Sequence, residues 1–295
     1  MIERHPEMLL RPEHIAAVRI NWLDKNVNLL AIADELNVGI ESLVFLDDNP
    51  QEQLLVRRTL PQVRVLDVGT DAAEFATVLR NETGFERLRV SQEDRSRGRM
   101  YAEQRLRSAA QQNAAGLESY LHSLQTVVTR VNLDTRTIDR VAQLTQKTNQ
   151  FNLTTKRYTS SQIAALNASS MSCVLAYSVA DRFGDSGIAG VAILLFCGEI
   201  CEIDSFLISC RVIGRGIETA MLCDIISQAE HRKCTGLIGR YLPTSKNAPC
   251  AGFYDQHGFV AEERDWHLNC AERASVCLPT WITLQAVQLN IGGAL

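Results

Sequence analysis

Ser205-Phe-Leu-Ile-Ser-Cys210-Arg-Val-Ile-Gly-Arg-Gly216 is the stretch that decides the fold class. Phe206, Leu207 and Ile208 form an apolar run that predicts the end of a strand. Arg211-x-x-Gly214-x-Gly216 then turns the chain into the amphipathic run from Ile217 to Ala229. A strand that feeds a helix through a glycine-rich turn leaves several backbone N–H groups converging at the helix N-terminus, which is an anion cradle. Cys210 lies at its lip, beside Arg211 and the positive end of the helix dipole, and is a candidate nucleophile.

Around this turn the chain alternates strands and helices. The β-branched run Thr126 to Val131 predicts a strand, Thr135 to Lys147 a helix, and 146–159 a polar, amide-rich loop. Strands are expected at 172–180, 188–197, 200–209 and 234–241, a helix at 247–257, and closing strands at 259–269 and 275–288. The order predicts an α/β domain over 126–295. Before it, 86–125 is rich in Arg, Glu, Gln, Ser and Ala with sparse apolar positions, which predicts a helical connector.

Residues 1–85 read as a second α/β element. A helix at 26–37 precedes a short apolar strand, Ser42 to Leu46, which runs into Asp47-Asp48-Asn49-Pro50. Groups just past the C-terminal end of a strand in an open α/β sheet point into the ligand crevice, and two adjacent carboxylates suit a hard cation such as Mg2+. Lys25, at the start of the preceding helix, is placed to neutralise a phosphate. The competing reading of Asp-Asp-Asn-Pro is a turn that caps the next helix.

Bulk properties exclude several classes. The 295 residues are 46% hydrophobic and 22% charged, enough for one large domain or two smaller ones. A net charge of −4 gives no general attraction to nucleic acid or to an anionic membrane. The longest nearly uncharged apolar stretch, 187–198, is 12 residues, too short to span a bilayer. The N-terminus has no apolar core, which favours a cytoplasmic location. The 9 cysteines are odd in number, lie in the C-terminal half and lack Cys-x-x-Cys spacing; they are expected to be reduced and mostly buried.

The motifs also carry a resemblance. Arg19-Ile-Asn-Trp-Leu-Asp-Lys25 and Leu43-Val-Phe-Leu-Asp-Asp-Asn-Pro50 resemble the closing motifs of the haloacid-dehalogenase (HAD) phosphatase domain in FkbH-like proteins. Gln143-Leu-Thr-Gln-Lys147-Thr-Asn149-Gln-Phe-Asn152, Asp181-Arg-Phe-Gly-Asp185, Ser209-Cys-Arg-Val-Ile-Gly-Arg-Gly216 and Pro243-Thr-Ser-Lys246-Asn247 are similar to signatures of its second half. That half resembles a GCN5-related N-acetyltransferase (GNAT) fold. The resemblance implies a partial HAD-like doubly wound sheet followed by a GNAT-like domain, with Lys25 catalytic and Asp47 and Asp48 on Mg2+. It implies Arg211, Gly214, Arg215, Gly216 and Asn247 around the phosphopantetheine of an acyl carrier protein or coenzyme A, and Tyr254 as the proton donor to a leaving thiolate. Lys147, Thr148, Asn149 and Asn152 would bind glycerate, and Cys210 would carry a transient acyl group.

Complete FkbH-like proteins load the glyceryl group of 1,3-bisphosphoglycerate, a phosphorylated three-carbon substrate, onto a carrier protein for polyketide extender-unit biosynthesis. The resemblance implies the same here, with one departure. The opening Asp-x-Asp-x-Thr strand that supplies the phosphatase nucleophile is missing, so HAD phosphatase activity is not expected. The first domain reads as truncated: Met1 is expected to be an internal or misassigned start, or the start of a split gene, with a partner chain or self-association covering the bare edge. Two other readings stay open, an acetyl-CoA-dependent GNAT acetyltransferase and a non-catalytic fragment that binds a carrier protein.

Overall fold

The computed structural model describes residues 7–11, 14–36, 38–69, 71–86, 92–271 and 276–286. Met1, Asn37, the expected start of the connector helix at 87–91, and the outer ends of the last strand at 275 and 287–288 lie outside these residues. The chain divides into two compact units, Met1–Ala109 and Ala110–Leu295, with the boundary inside helix α4 (Gln92–Gln112).

The first unit contains α1 (Lys25–Leu36), β1 (Val44–Phe45), α2 (Pro50–Thr59), β2 (Arg64–Val65) and α3 (Phe75–Arg80). β1 and β2 pair in parallel, Val44 with Arg64 and Phe45 with Val65, around the crossover helix α2. A small core of Phe45, Val56, Leu60 and Val63 holds this βαβ step together. Such a step is the building block of an open α/β sheet, and it is all of the partial doubly wound sheet expected from the sequence that the described residues of this unit contain.

The second unit opens with α5 (Leu117–Leu124), whose Tyr120, Leu121 and Leu124 pack with Phe183 and Trp281. This helix, expected as part of a solvated connector, is therefore an integral element of the unit. Then follow β3 (Thr126–Val131), α6 (Thr135–Lys147), β4 (Phe151–Asn152), α7 (Ser160–Ala168), β5 (Ser172–Asp181), β6 (Gly184–Cys197), β7 (Ile200–Ile208), α8 (Ile217–His231), β8 (Gly236–Arg240), α9 (Phe253–Gln256), β9 (Val260–Glu262), β10 (Asp265–Asn269) and β11 (Ile282–Ala286). Capping boxes start both α6, where Asp134 and Thr137 bond reciprocally, and α7, where Thr159 and Gln162 do.

The strands form one sheet in the order β11-β3-β5-β6-β7-β8-β10-β9, with β4 attached to β7. α6 and α7 bury Val141, Leu144 and Ile163 on one face, against Val174, Val191, Ile193 and Leu207. α8 buries Ile217, Met221, Leu222 and Ile225 on the other. A buried ion pair ties α8 across the sheet: Arg130 donates to both oxygens of Asp224 at 2.7 and 3.0 Å, and the Tyr177 hydroxyl donates to Asp224 at 2.9 Å.

Two sequence expectations are corrected locally. The helix expected over 247–257 is broken into a 3₁₀ turn, Ala248–Cys250, and the single turn α9, with Gly252, a poor helix former, at the break, while Pro249 sits in the first turn where proline is tolerated. The strand expected over 259–269 folds into the β9–β10 hairpin, with Glu263 at φ 55° in the turn.

Candidate active site

Topology fixes where a site can form. β7 and β8 are the parallel pair joined by α8, and their pairing runs only from Ile200–Gly236 to Ile203–Gly239. Beyond that point β7 continues five residues to Ile208 while β8 ends at Arg240, so the two strands part at their C-terminal ends, where open α/β sheets place ligands. A bulge marks the same level. On β6, Leu194 pairs with Ile203 and Ile193 with Ser205, leaving Asp204 as the extra residue.

The glycine-rich turn follows. A 3₁₀ turn, Cys210–Val212, leads to Gly214 at φ 79° and Gly216 at φ 82°, backbone that favours glycine. Gly216 is the N-cap of α8 and supplies no side-chain acceptor, so the first-turn amides are available to an anion. A Cβ on Gly214 would meet open space, whereas one on Gly216 would press on Pro279 at 3.2 Å and the Trp281 indole nitrogen at 3.3 Å. The turn is open at Gly214 and backed at Gly216. Arg211 is half-buried and Cys210 is exposed at the lip.

Arg215 corrects the sequence reading. Its side chain points away from the cradle, 5% exposed, pairs with Asp181 at 3.0 Å and donates to the Arg211 carbonyl at 2.7 Å. Its own carbonyl accepts the Trp281 indole N–H at 2.9 Å. The guanidinium charge is spent on holding the loop from behind, so Arg215 is a clamp rather than a ligand contact. Asp181 also accepts the amides of Phe183 and Gly184, and Asp185 that of Gly187, so both act as turn caps.

Glu218 stands in the first turn of α8 with its Oε2 buried and without a hydrogen bond among the described residues. Burial pushes its carboxyl above the ordinary value. A carboxyl raised in the folded state contributes stability that is fully present below its unfolded value near 4.5 and is lost as pH rises through the folded value. Glu218→Gln is therefore expected to raise stability at pH 7, to flatten the loss above pH 4.5 and to tighten anion binding at the cradle. Denaturant unfolding between pH 4 and 8, with sulfate or pyrophosphate titrations, checks all three.

Tyr254 lies on the other side of the divergence. Its ring atoms Cε1 and Cζ approach to 2.4 Å of where a Cβ on Gly239 would stand, so this strand position accepts only glycine beside the ring. The residue is 1% exposed and its hydroxyl, close to the Arg240 backbone, is without a hydrogen bond among the described residues. Burial pushes the phenol well above its ordinary value. A buried, unpartnered hydroxyl costs about 1–3 kcal/mol, and its place at the last parallel pair makes it a group awaiting a partner.

Other expected ligand groups turn out to be internal. Asn247 is fully buried: Nδ2 donates to the carbonyls of Asn152 and Leu242 at 2.9 Å each, and Oδ1 accepts from Thr244 N at 2.7 Å. Asn152, also fully buried, donates to Thr148 O at 3.2 Å and accepts from Thr155 N at 2.8 Å. Thr148 is buried, Asn149 is held through Oδ1 by Arg157, and Lys147 is exposed in the last turn of α6. These amides and hydroxyls are consumed by loop structure, so Asn247, Thr148, Asn149 and Asn152 do not converge on a ligand.

Sequence reasoning missed Asp204. It is 5% exposed and receives Lys156 Nζ at 2.5 Å, the Tyr158 hydroxyl, and Ser205 Oγ at 3.1 Å. The available signal was a lone carboxylate inside the apolar run Ile203 to Ile208.

In the first unit, Lys25 Nζ and Asp47 Oδ2 meet at 3.4 Å, a pairing the sequence reading, which put Lys25 on a phosphate and Asp47 on Mg2+, did not include. Asn49 caps α2 through the Gln51 amide with Pro50 in the first turn, and Asp48 is exposed. Among the described residues no group of three or more His, Cys, Asp or Glu side chains is arranged to hold a metal ion. With Asp47 engaged by Lys25, the pair Asp47 and Asp48 does not fit Mg2+, and no chemistry is routed through it. No disulfide joins the cysteines among the described residues; Cys201, Cys234, Cys250 and Cys270 are buried, whereas Cys197, Cys210 and Cys277 are exposed, more than the sequence suggested. Among the described residues no helix is long and apolar enough to cross a membrane.

No family model and no curated protein matches the chain. Solved structures similar to part of it include Ard1 from Thermoplasma volcanium, at 16% identity over 48% of this chain and 97% of that one, with a TM-score of 0.39. Another is the ribosomal-protein-S18-alanine N-acetyltransferase from Escherichia coli, at 15% identity over 48% of this chain and 89% of that one, TM-score 0.36. A third is the spermidine N-acetyltransferase from Vibrio cholerae in complex with CoA and spermine, at 11% identity over 50% and 97%, TM-score 0.39. Likenesses this weak carry no argument about activity, which rests on the geometry.

Proposed function

We propose that the second unit is a GNAT-type acyltransferase that holds a pantetheine thioester, with coenzyme A as the carrier to test first. The observation that carries this reading is the hydroxyl of Tyr254, without a hydrogen bond among the described residues, against Gly239 at the parting of β7 and β8. Acyl-coenzyme A, when bound, supplies the thioester and a pyrophosphate. Gly214, Gly216 and the first-turn amides of α8 would hold the phosphates, with Arg211 adding charge. Tyr254 Oη would give its proton to the sulfur as the C–S bond breaks and the acyl carbon bonds the acceptor nucleophile, whose own proton passes to water, from which the phenol is restored.

Tyr254→Phe separates this role from packing. Stability is expected to stay level or rise by about 1 kcal/mol, because an unsatisfied hydroxyl is removed. Acyl turnover is expected to fall about a hundredfold with CoA affinity little changed. Calorimetric CoA binding and an acetyl-CoA hydrolysis and transfer assay test both; absence of CoA binding would sink the reading.

The finer reading, loading of a phosphorylated three-carbon acid onto an acyl carrier protein, draws support from the exposed thiol of Cys210 at the cradle's lip. It predicts a mass increase on the carrier protein that Cys210→Ala abolishes.

A further inference from the structure

One side of α8 is covered by the chain that leads into β11. Gly216 and Cys223 are about two helical turns apart, so they lie on the same side of the helix. The segment 276–281 runs along that side and is fastened at both ends. At the start of the helix Trp281 donates its indole N–H to Arg215 O at 2.9 Å, and Pro279 and Trp281 back Gly216. Two turns on, the Cys223 thiol donates to the Val276 carbonyl at 3.8 Å, and Val276 packs on the main core. A thiol is a weak donor, so this is the weaker fastening. It sets the Cys223 sulfur against the peptide that joins Val276 to Cys277. Cys277 is exposed, Cys223 is half-buried, and no disulfide holds either.

We propose that Cys223 and Cys277 are a modification site, a thiol pair that a peroxide converts into a disulfide clasp, locking the segment that backs the glycine turn. The exposed Cys277 sulfur takes one oxygen atom from hydrogen peroxide, whose remainder leaves as water, and becomes a sulfenic acid. The Cys223 sulfur then attacks it. The S–S bond forms, the S–O bond breaks, and the hydroxyl departs with the Cys223 proton as a second water. Two thiols lose two electrons and the peroxide O–O bond takes them up; a dithiol reverses the change by exchange. The bridge closes a loop of about fifty residues, which removes entropy from the unfolded chain. It also fixes Pro279 and Trp281 behind Gly216, which pre-organises the turn for an anion.

Peptide mapping of the full-length chain tests the pair directly. The protein is treated with hydrogen peroxide, its remaining thiols are alkylated, and it is cut with trypsin. Cleavage after Arg215, Arg232 and Arg273 gives peptides 216–232 and 274–295, which hold Cys223 and Cys277 as their single cysteines. A joined mass that a dithiol splits is the expected result. Oxidation should also raise Tm by about 10 °C and tighten pyrophosphate binding about threefold. All three changes should vanish in Cys277→Ser, a surface substitution, and persist in Cys197→Ser, which removes another exposed thiol. Peptides recovered unjoined, with Cys277 oxidised alone or bridged to a different cysteine, would overturn the clasp. Joined peptides with unchanged pyrophosphate affinity would overturn its link to the glycine turn. Neither readout uses coenzyme A, so the outcome is independent of the acyltransferase reading.

Discussion

Arg215→Ala is expected to destabilise the second unit by about 3–5 kcal/mol, because it leaves the Asp181 carboxylate buried without its partner. Both side chains are almost inaccessible, at 7% and 1% relative exposure, so water offers little compensation. The loss would spread beyond one ion pair. Arg215 joins the β5–β6 turn to the Arg211 carbonyl, and its own carbonyl receives Trp281, which packs with α5. Arg215→Lys keeps the charge but not the fork that reaches both Asp181 and Arg211 O, and is expected to recover less than half of the loss. Guanidinium unfolding followed by near-UV circular dichroism measures it. A loss below 1 kcal/mol for the alanine variant would show that the pair is not the clamp described.

Gly239→Ala is the second large effect. A methyl group at this position would stand 2.4 Å from Cε1 and Cζ of Tyr254, and a rigid ring cannot yield as a flexible chain end does. The ring is itself hemmed in by Phe253, Phe259 and Trp266, with centroids 4.9–5.8 Å away. Overpacking of this kind costs about 1–3 kcal/mol and occasionally more, and here it also displaces the hydroxyl proposed as proton donor. Turnover is expected to drop at least as far as in Tyr254→Phe, accompanied by the stability loss that Tyr254→Phe lacks. Gly214→Ala is the control in the same unit. It meets open space, so only the backbone penalty of a positive φ, about 1–2 kcal/mol, applies.

The order of strands and helices in the second unit was legible because each element carries its own period. Thr126–Val131, Ser172–Asp181 and Ile200–Ile208 are β-rich runs, and the glycines at 214 and 216 announce a turn that only glycine follows easily. The Asn49-Pro50 helix start was likewise local enough to read, whereas the ion pair of Lys25 with Asp47 joins residues 22 apart and was not. The expected helix at 247–257 misled because its composition suits a helix while Gly252 interrupts it after the first turn. The Asp204 bulge has no local signature. It exists because β6 and β7 pair out of step by one residue, a relation between strands.

The candidate site divides in the same way. By itself the sequence determined that a strand hands over to a helix through a glycine turn, since glycine at positive φ is a property of the backbone. Only the tertiary structure decided where each polar side chain spends its hydrogen bonds. Arg215 turned from ligand contact to clamp because Asp181, 34 residues away, lies behind it. Asn152 and Asn247, 95 residues apart, turned from recognition groups to mutual anchors because burial requires every amide to find a partner. Tyr254 was left without one, and that difference, invisible in the chain, separates a group that could act from groups that hold the fold.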